Sequence, residues 1–524
     1  MPATTLYRGG RIYSPTHPRA TALLVDGNQI VWLGTDEEAP AHADTVVDLE
    51  GALVTPGFVD AHVHATDTGI SLLSLDLSDA QDATDVLDRV AAAARRLPAD
   101  AVLLGHGWDE SGWPHQRPPS AQELDRAAEG RRVYLAQASV HSAVVSSALM
   151  AAAENLPAAE GYDPQGWQRR DAHHVVRAIA LSSLTASQRA DAQRAALRRA
   201  ASLGIVAVHE CGGPEISSEA DFTALLRLAA TEPVPEVYGL WAELESAAKA
   251  VELGAVGAGG DLFVDGALGA QTAHLRQPYL DTDGCGYGYL TAEQVTAHLL
   301  DCDRHGVPGG FHAIGDQAIS TVLEGFAAAA ARIGVERLRA ARHRIEHAEI
   351  LDRDLIRGFV EYGIVASMQP AFDRLWGGTD GMYARRLGVE RALASNPLGS
   401  LNGVGVPLAF GSDSPVTPLD PWGTVRAAMT HHNPVQRITL RAAFAAHTRG
   451  GWRSVGKDFE GVLAPGAPAS FAIWDWDGDV IGGLPDLVPA GADQPEKEAP
   501  LPVCRRTVRR GTVIYDIEGE QTGG

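Results

Sequence analysis

Apolar and polar residues alternate in short runs at both ends of the chain. Residues 4–55 contain three such runs, and "DGNQ" at 26–29 has the composition of a hairpin turn. Near the other end, "ASFAIWDWDGDV" and "VRRGTVIYD" show the same alternation. Because alternation is typical of half-buried strands, the pattern predicts a β-sandwich domain built from both chain ends, residues 1–56 and 451–524.

The middle of the chain has a different pattern. Continuous apolar runs of strand length recur there, and helical stretches rich in alanine, leucine and arginine lie between them. Repeated strand–helix alternation predicts an α/β fold, a (β/α)8 barrel of the TIM type over residues 57–450. The eight candidate strands are "GFVDAHVH" (57–64), "GIVAVHE" (204–210), "PEVYGLW" (235–241), "DLFVDGAL" (261–268), "GVPGGFHA" (306–313), "ARHRIEHA" (341–348), "GIVASMQ" (363–369) and "GVPLAFGSD" (405–413).

One connection is too long for this strand–helix alternation. Residues 65–203, between the first and second candidate strands, are far too many for a strand-to-helix loop. They contain their own helical and strand patterns, such as "DATDVLDRVAAAARRL" and "RRVYLAQASVH". We therefore expect an inserted α+β subdomain after barrel strand 1 that covers the barrel mouth.

Composition narrows the function classes. The chain has 524 residues, 45% hydrophobic and 21% charged, with a mean hydropathy of -0.08, which is ordinary for a soluble globular protein. The formal net charge is -23, and such a surface repels nucleic acid and anionic membranes. A small-molecule substrate is therefore the expected partner, and a homodimer is left open.

Targeting signals and cysteines point to the cytoplasm. The start, "MPATTLYRGGRIYSP", lacks a signal-peptide pattern, and no run approaches the roughly 18 apolar residues of a membrane helix. The four cysteines are scattered without CxxC spacing, so neither a disulfide framework nor a cysteine-type zinc site is predicted. Any metal would be held by imidazole and carboxylate.

Histidines and one aspartate lie at the carboxyl ends of several candidate strands. His62 and His64 are two apart, so on a strand they project to the same side. His312, His347 and Asp413 end the fifth, sixth and eighth candidate strands. Singly, each has an ordinary explanation, such as a solvated loop histidine or a capping aspartate. Together, at one end of a barrel, they form a ligand set suited to Zn²⁺ or a similar divalent ion.

The same segments resemble a known family. "TPGFVDAHVH", "FHAIGDQAI", "RIEHAEI", "ASMQP" and "FGSDSPV", in that order, resemble the amidohydrolase superfamily. More narrowly they are similar to amidohydrolase family 3, which includes N-substituted formamide deformylase-like proteins. "GHGWDESGWP", "SVHSAVVSSALM", "DGALGAQTAHLRQPY" and "GVLAPGAPASFAIWD" extend the similarity over nearly the whole chain. The joint set is specific for the family and weakly specific for the substrate.

The resemblance implies a metal-activated water that attacks an electrophilic carbon. His62, His64, His312 and His347 match metal ligands, and Asp413 matches a ligand that is also the general base. A bound cation lowers the pKa of its water to about 7, and a neighbouring carboxylate can pass the proton to the leaving nitrogen. The implied reaction is hydrolysis of a non-peptide C–N bond, in an amide or N-substituted formamide. Deaminase-type hydrolysis of a cyclic amidine or heterocycle, and a non-catalytic metal-binding regulatory barrel, remain as alternatives.

The chain departs from the family on the fourth candidate strand. Relatives often read K-L-F-x-D-G-A-L-G there, with a carboxylated lysine that bridges two metals, whereas Asp261 stands at that position here. The aspartate stem is too short for that bridge unless the backbone moves inward. We therefore expect one metal ion per chain rather than two. Asp261 is then an acceptor for a ligand imidazole, or a buried aspartate hydrogen-bonded within the barrel.

The sixth candidate strand carries two more polar residues. His343 lies four residues before His347, so we expect it to point inward but deeper, as a partner of the ligands or a packing residue. Glu346 is expected to alternate outward and to be structural. The resemblance and the positions after strands also give six candidates for substrate contact, with core packing or a surface loop as the alternative: Trp108, Trp113, His141, Asp265, Arg276 and Tyr279.

Overall fold

The structure is a computed structural model that describes residues 4–115, 117–138, 142–488 and 500–521. Its contacts divide the chain into two compact units. One unit combines Met1–Ala65 with Leu197–Gly524, and the other is Thr66–Ala196.

The chain ends form two sheets in the first unit. The strands Ala22–Asp26 and Gln29–Gly34 pair antiparallel with Asp26 opposite Gln29, which confirms the predicted hairpin turn. Buried side chains of both sheets, among them Leu23 and Phe471, pack into one core. The four-stranded sheet has the order Gln29–Gly34, Ala22–Asp26, Thr4–Arg8, Thr45–Asp48, and the five-stranded sheet has the order Arg11–Ile12, Leu53–Pro56, Phe471–Asp475, Val503–Arg509, Thr512–Asp516. A short hairpin pairs Val480–Ile481 with Leu484–Pro485.

Parallel strands form the centre of this unit. Seven of the eight candidate runs contain a strand. Six of these strands are wholly buried, as expected for parallel sheets covered by helices, whereas Glu236–Trp241 is buried only along its second half. One sheet has the order Glu236–Trp241, Ile205–Gly212, Phe58–Val63, and the other has the order Gly310–Ala313, Arg344–His347, Val365–Met368, Leu408–Phe410. Isolated bridges extend the pairing beyond both sheets: Val63 to Ser414, Leu240 to Gly257, Ala258 to Gly309 and Phe263 to His312.

The fourth candidate run is not a regular strand, so that prediction was wrong. Only isolated bridges pair the segment 257–263 with its neighbours. Gly259 and Gly260 have φ values of 151° and 87°, a region that strands do not use and that residues other than glycine rarely adopt. A Cβ atom on Gly259 would lie 2.1 Å from the backbone nitrogen of Gly310. The segment therefore approaches the neighbouring strand more closely than any side chain would allow.

Helices alternate with these strands. The helix Ala292–His305, for example, begins with a capping box between Thr291 and Gln294 and ends at left-handed Gly306. The helices of the unit are Glu219–Thr231, Ala247–Glu252, Ala292–His305, Asp316–Ile333, Val335–Ala341, Arg353–Tyr362, Pro370–Trp376, Met382–Leu387, Val389–Ala394, Leu398–Gly403, Pro421–Thr430, Leu440–Ala445, Gly451–Ser454 and Ile517–Gln521, with a π-helical turn at Ala446–Gly450 and 3₁₀ turns at Asp36–Glu38 and Pro434–Gln436.

Within the described ranges, no single helix is long and apolar enough to cross a membrane. One pair, Asp316–Ile333 with Val335–Ala341, passes a test of length and composition only when the two are taken together, and the pair is bent by 117°.

The second unit has its own sheet and its own core. The sheet has the order Trp167–Arg169, Ser142–Val145, Val133–Gln137, Leu103–Trp108, Leu75–Asp76. Apolar side chains such as Val86, Leu124 and Leu135 pack with Trp108 in one cluster. The helices between residues 65 and 202 are Ala65–Leu73, Ala83–Ala94, Ala121–Ala127, Ser147–Ala151, Arg170–Ser182 and Ala186–Ser202, with 3₁₀ turns at Glu110–Gly112 and Leu156–Ala158.

Candidate metal centre

Four imidazole rings meet at the carboxyl ends of three parallel strands. His62 and His64 end the strand Phe58–Val63, and their ring centroids are 5.4 Å apart. His312 and His347 come from the neighbouring strands of the other sheet, with centroids 4.5 Å apart. The rings of His62 and His347 are 5.0 Å apart, so the two pairs form one cluster. The structure thus brings the four predicted ligand histidines together.

On the first pair, the ring nitrogen that faces away from the cluster is held by an oxygen. Nδ1 of His62 donates to Oε2 of Glu346 at 2.9 Å. Nδ1 of His64 donates to the backbone oxygen of Cys211 at 3.0 Å. Because both partners only accept, these bonds assign the ring proton to Nδ1 and leave Nε2 facing the cluster.

The second pair is held in the same way. Nδ1 of His347 is bonded to Oε1 of Gln369 at 2.8 Å. Nε2 of His312 donates to the backbone oxygen of Gly266 at 3.1 Å, so in this ring Nδ1 is the nitrogen that faces inward. Outer acceptors of this kind fix the tautomer and the orientation of metal-ligating histidines.

Asp261 occupies the middle of the cluster. Its Oδ2 lies 3.3 Å from Nε2 of His62 and 3.2 Å from Nε2 of His64. Its Oδ1 lies 3.4 Å from Nδ1 of His312 and 3.5 Å from Nε2 of His347. We expected Asp261 to lie behind a ligand imidazole, but its carboxylate faces the inward nitrogens of all four.

Asp413 joins the first pair of histidines. Its Oδ1 lies 3.4 Å from Nε2 of His62 and 3.2 Å from Nε2 of His64. The backbone N–H of Asp413 donates to the backbone oxygen of His62 at 2.8 Å, which ties the loop to the strand end. Asp413 has a φ of 57°, and such strain in a residue other than glycine is typical of functional sites.

These spacings fit a bound divalent cation. Tetrahedral ligands about 2.0–2.1 Å from a zinc ion are about 3.4 Å from one another, and the contacts around Asp261 and Asp413 lie at that length. Nε2 of His62 is buried without a hydrogen-bond partner, as expected of a nitrogen that offers its lone pair to a metal. Two combinations containing Asp413 or Asp261 bring ligand atoms within 4.8 Å of one another, His62 with His64 and Asp413, and His62 with Asp261 and His347. The residues present therefore fit the metal.

The charges around the centre favour a cation as well. Burial opposes protonation of His64, yet its pKa lies well above the ordinary value because Asp261 and Asp413 face its ring. Burial likewise opposes ionisation of Asp413, but the surrounding imidazoles hold its pKa below the ordinary value. The carboxylates of Asp261 and Asp413 thus stabilise positive charge beside them in this buried centre.

The strand Arg344–His347 places its side chains differently from the prediction. Glu346 is fully buried and bonds His62, so the expectation that it alternates outward was wrong. His343 packs on Phe326 of a neighbouring helix and accepts the N–H of Gly309, rather than pointing into the cluster. The reason is that His347 has a φ of 69°, which turns its ring to the side on which Glu346 lies.

Glu346 connects the centre to a buried arginine. Arg344 donates through Nη2 to Oε2 of Glu346 at 2.8 Å and is itself fully buried. Burial raises the pKa of the Glu346 carboxyl, but the guanidinium outweighs it and the pKa lies well below the ordinary value. Glu346 therefore stays ionised and holds His62. In the sequence, Glu346 lies between "RI" and "H", and nothing in that context indicates this role.

Cys211 is a second neighbour of the centre that sequence reasoning missed. It ends the strand Ile205–Gly212, is a buried free thiol, and has ligand atoms of His62 and Glu346 nearby. Burial raises the pKa of this thiol, so it stays protonated at neutral pH.

The carboxylate of Asp265 bonds backbone N–H groups, although we expected it to contact a substrate. Its carboxylate accepts the N–H groups of His274, Ile314 and Gly315 at 2.8, 3.0 and 2.8 Å, and the residue is fully buried. These bonds hold the loop that follows His312. The structure thus favours a positioning role for Asp265.

The remaining substrate candidates are also engaged elsewhere. Nη1 of Arg276 contacts Asp352 at 2.6 Å, and the hydroxyl of Tyr279 donates to a backbone oxygen at 2.9 Å. Within their own unit, the indole nitrogens of Trp108 and Trp113 both donate to backbone oxygens at 2.8 Å, and the two rings lie in the core. The structure thus favours structural roles for these four. His141 lies outside the described residues.

Comparison with known proteins identifies the family. The sequence model of the amidohydrolase family matches residues 45–515. The chain belongs to the amidohydrolase family. Among its relatives, YtcJ of Bacillus subtilis is 26% identical over 98% of this chain and 99% of its own length. The N-substituted formamide deformylase of Arthrobacter pascens is 32% identical over 28% of each chain.

Solved structures agree with this placement. An uncharacterised metal-dependent hydrolase from Pyrococcus furiosus is 26% identical, covers 90% of this chain and 99% of its own, and has a TM-score of 0.77. This family member is therefore similar to metal-dependent hydrolases over most of its length, and the family implies a divalent metal ion.

Proposed function

We propose that the protein hydrolyses a non-peptide C–N bond, in an amide or N-substituted formamide, with a metal-activated water. The observation that carries the proposal is the approach of Asp413 to the imidazoles: Oδ1 lies 3.2–3.4 Å from the inward nitrogens of His62 and His64. A carboxylate in that position can both hold a metal and accept a proton from water. The similarity of part of the chain to an N-substituted formamide deformylase supports the choice of bond.

The proposed architecture serves this chemistry. The seven strands and the bridged segment 257–263 are taken as a (β/α)8 barrel, residues 57–450, whose carboxyl ends carry the site. Residues 1–56 and 451–524 are taken as a β-sandwich domain. The insert, about residues 65–203, is taken as a separate subdomain.

In the proposed mechanism, the divalent ion, most simply Zn²⁺, would be held by His62, His64, His312, His347 and Asp413. When bound, the ion supplies Lewis acidity that lowers the pKa of a water and polarises the scissile carbonyl. Oδ1 of Asp413 accepts the proton of the attacking water. The same atom then donates the proton to the leaving nitrogen, as general acid.

The site contributes to proton transfer by keeping Asp413 ionised. Because the imidazoles hold the pKa of Asp413 below its ordinary value, the carboxylate is available as a base at neutral pH. Glu346 and Gln369 hold the rings of His62 and His347 in the orientation that the ligands need. The comparisons do not favour the deaminase reaction or the regulatory barrel.

A substrate panel tests the proposal. The metal-replete enzyme is assayed against N-acyl amines, N-formyl amines and cyclic amidines, and the release of amine, formate and ammonia is measured. We expect turnover of an N-acyl or N-formyl amine. Ammonia release from a cyclic amidine alone would favour the deaminase reaction, and full metal loading without turnover of any substrate would favour the regulatory role.

A further inference from the structure

A single peptide group links His312 to the loop 266–272, which contributes none of the predicted ligands. Nε2 of His312 donates to the backbone oxygen of Gly266 at 3.1 Å. The N–H of the same peptide group, on Ala267, donates to Oγ1 of Thr272 at 3.0 Å. Because a peptide group is planar, a contact that holds its N–H also fixes the direction of its carbonyl. The hydroxyl of Thr272 is thus connected to the ring of His312 through one rigid group.

The acceptor of His312 differs from those of the other ligand histidines. Side chains hold two of those rings, and the backbone of the strand Ile205–Gly212 holds the third, His64. Gly266 instead lies in a loop, so the direction of its carbonyl depends on contacts within that loop. The orientation of the His312 ring therefore depends on how the loop is closed.

Thr272 closes this loop with its backbone as well as its hydroxyl. Its backbone oxygen accepts the N–H of Gly266 at 3.2 Å, and its own N–H donates to the oxygen of Ala267 at 3.0 Å. A Cβ atom on Gly266 would lie 2.1 Å from Oγ1 of Thr272, so the hydroxyl packs directly on the glycine backbone. Of these contacts, a side-chain substitution removes only those of the hydroxyl.

Asp265 fixes the loop relative to the strand that carries His312. Its carboxylate bonds the N–H of His274, just beyond the loop, and those of Ile314 and Gly315, just after His312. Oδ1 of Asp265 also lies 3.9 Å from Nε2 of His312, which is beyond hydrogen-bond distance. This carboxylate is an alternative acceptor for the ring if the peptide carbonyl turns away.

We propose that Thr272 is a positioning residue for the metal centre, whose hydroxyl directs the Gly266 carbonyl at Nε2 of His312. That bond keeps the ring proton on Nε2 and leaves Nδ1 free to bind the ion. Because hydrogen bonds in series polarise one another, the bond at Oγ1 also makes the carbonyl a stronger acceptor. The inference rests on the metal-dependent function proposed above.

Metal titration tests this role without relying on activity. Thr272→Val removes the hydroxyl and keeps the branched shape of the side chain. Wild type and variant are stripped with a chelator and titrated with Co²⁺, whose visible absorption spectrum reports the geometry of its ligands. We expect the variant to bind Co²⁺ about 10–100-fold more weakly, the usual loss for such an outer partner, with an altered spectrum. Thr272→Ser restores the hydroxyl and is expected to restore both.

Thr296→Val is the matched control. Thr296 is a buried threonine of the same unit, and its hydroxyl donates to the backbone oxygen of Ala292 at 2.7 Å, within the helix Ala292–His305. The control should keep the affinity and the spectrum of the wild type. An unchanged affinity and spectrum in Thr272→Val, or an equal loss in Thr296→Val, would overturn the positioning role.

Circular dichroism reports whether Thr272→Val folds. If it does not, the histidine ¹⁵N resonances of the metal-free wild type decide, with the His312 signals assigned by their loss in His312→Gln. A proton on Nε2 of His312 is expected, and a proton on Nδ1 would overturn the proposal.

This proposal and the proposed function fail in different ways. Unchanged Co²⁺ binding in Thr272→Val, in an enzyme that hydrolyses an amide, removes only the positioning role. Weaker Co²⁺ binding in that variant, in a protein that turns over no C–N substrate, removes only the proposed reaction.

Discussion

The strand Phe58–Val63 and the segment 257–263 both bring side chains to the centre, but they do so by opposite means. The strand is buried along its whole length and pairs with Ile205–Gly212 on one side and, through Val63, with Ser414 on the other. Its two histidines project together because strand side chains repeat every second residue. The segment has isolated bridges only, and glycines at its bend.

The contrast between the two segments shows how ligands of different length reach one centre. A histidine ring is long enough to project from a regular strand, so ordinary pairing is sufficient to place it. An aspartate carboxylate is short, and here it depends on backbone that approaches its neighbours at distances only glycine tolerates. We therefore expect substitutions at the end of the strand Phe58–Val63 to remove metal ligands. Substitutions of the glycines in the segment 257–263 should instead displace the Asp261 carboxylate.

The largest effect is expected from removing a ligand on the strand side. His62→Ala should lose metal and lower hydrolysis below detection, because its Nε2 contacts both Asp261 and Asp413. His343→Ala is the matched control, since that buried histidine accepts the N–H of Gly309 outside the centre. Metal content measured by mass spectrometry should fall only in the first variant. Full metal and full turnover in His62→Ala would remove it from the ligand set.

A large loss of rate with metal retained is expected for Asp413→Asn. The amide still approaches His62 and His64, but it cannot accept a proton, so kcat should fall by about 10³-fold or more. Turnover is measured at saturating metal, with circular dichroism to show that the fold is kept. A rate within about tenfold of wild type would mean that another group accepts the proton.

Much of the fold and of the ligand set could be predicted, and the reasons are local. His62 and His64 followed from the period of two along an apolar run, and seven of the eight runs do contain strands. The segment 257–263 could not be predicted in this way, because its path depends on the φ angles of two glycines and on the backbone of Gly310.

The directions of some side chains were also predicted wrongly. The inward side of the strand Arg344–His347 was misassigned because His347 has a positive φ, which breaks the alternation on which the prediction relied. Trp108 shows a different limit: an aromatic residue in an insert has the same sequence signature in a core and in a pocket wall. Only its hydrogen bond to Leu135 and its neighbours favour the core.

An intermediate effect is expected from the partner that orients His62. Glu346→Gln keeps an oxygen near Nδ1 but removes the charge that faces buried Arg344. Loss of such an outer partner typically costs 10–100-fold in metal affinity or activity, and an unpaired buried guanidinium costs about 3–5 kcal/mol of stability. Metal titration and chemical denaturation measure the two effects. An unchanged affinity would show that the ring of His62 is fixed by packing alone.

The smallest effect is expected from substituting a glycine of the segment 257–263, and this variant tests how Asp261 reaches the centre. Gly260→Ala places a Cβ 3.1 Å from Sγ of Cys211 at a φ of 87°, so the backbone must shift. Gly254→Ala is the matched control: its φ is 85°, but its Cβ would meet only Leu226, at 3.5 Å. Both variants should lose about 1–2 kcal/mol of stability from the strained φ.

Only Gly260→Ala should also weaken metal binding, because only there does the shift move Asp261. We expect a metal affinity roughly tenfold weaker, which corresponds to about 1.4 kcal/mol of binding free energy. Metal titration of the refolded variants measures it. Equal metal affinity in the two variants would mean that Asp261 reaches the centre without the close approach. The strand Phe58–Val63 and the segment 257–263 would then differ only in their backbone pairing, and not in how they position a metal ligand.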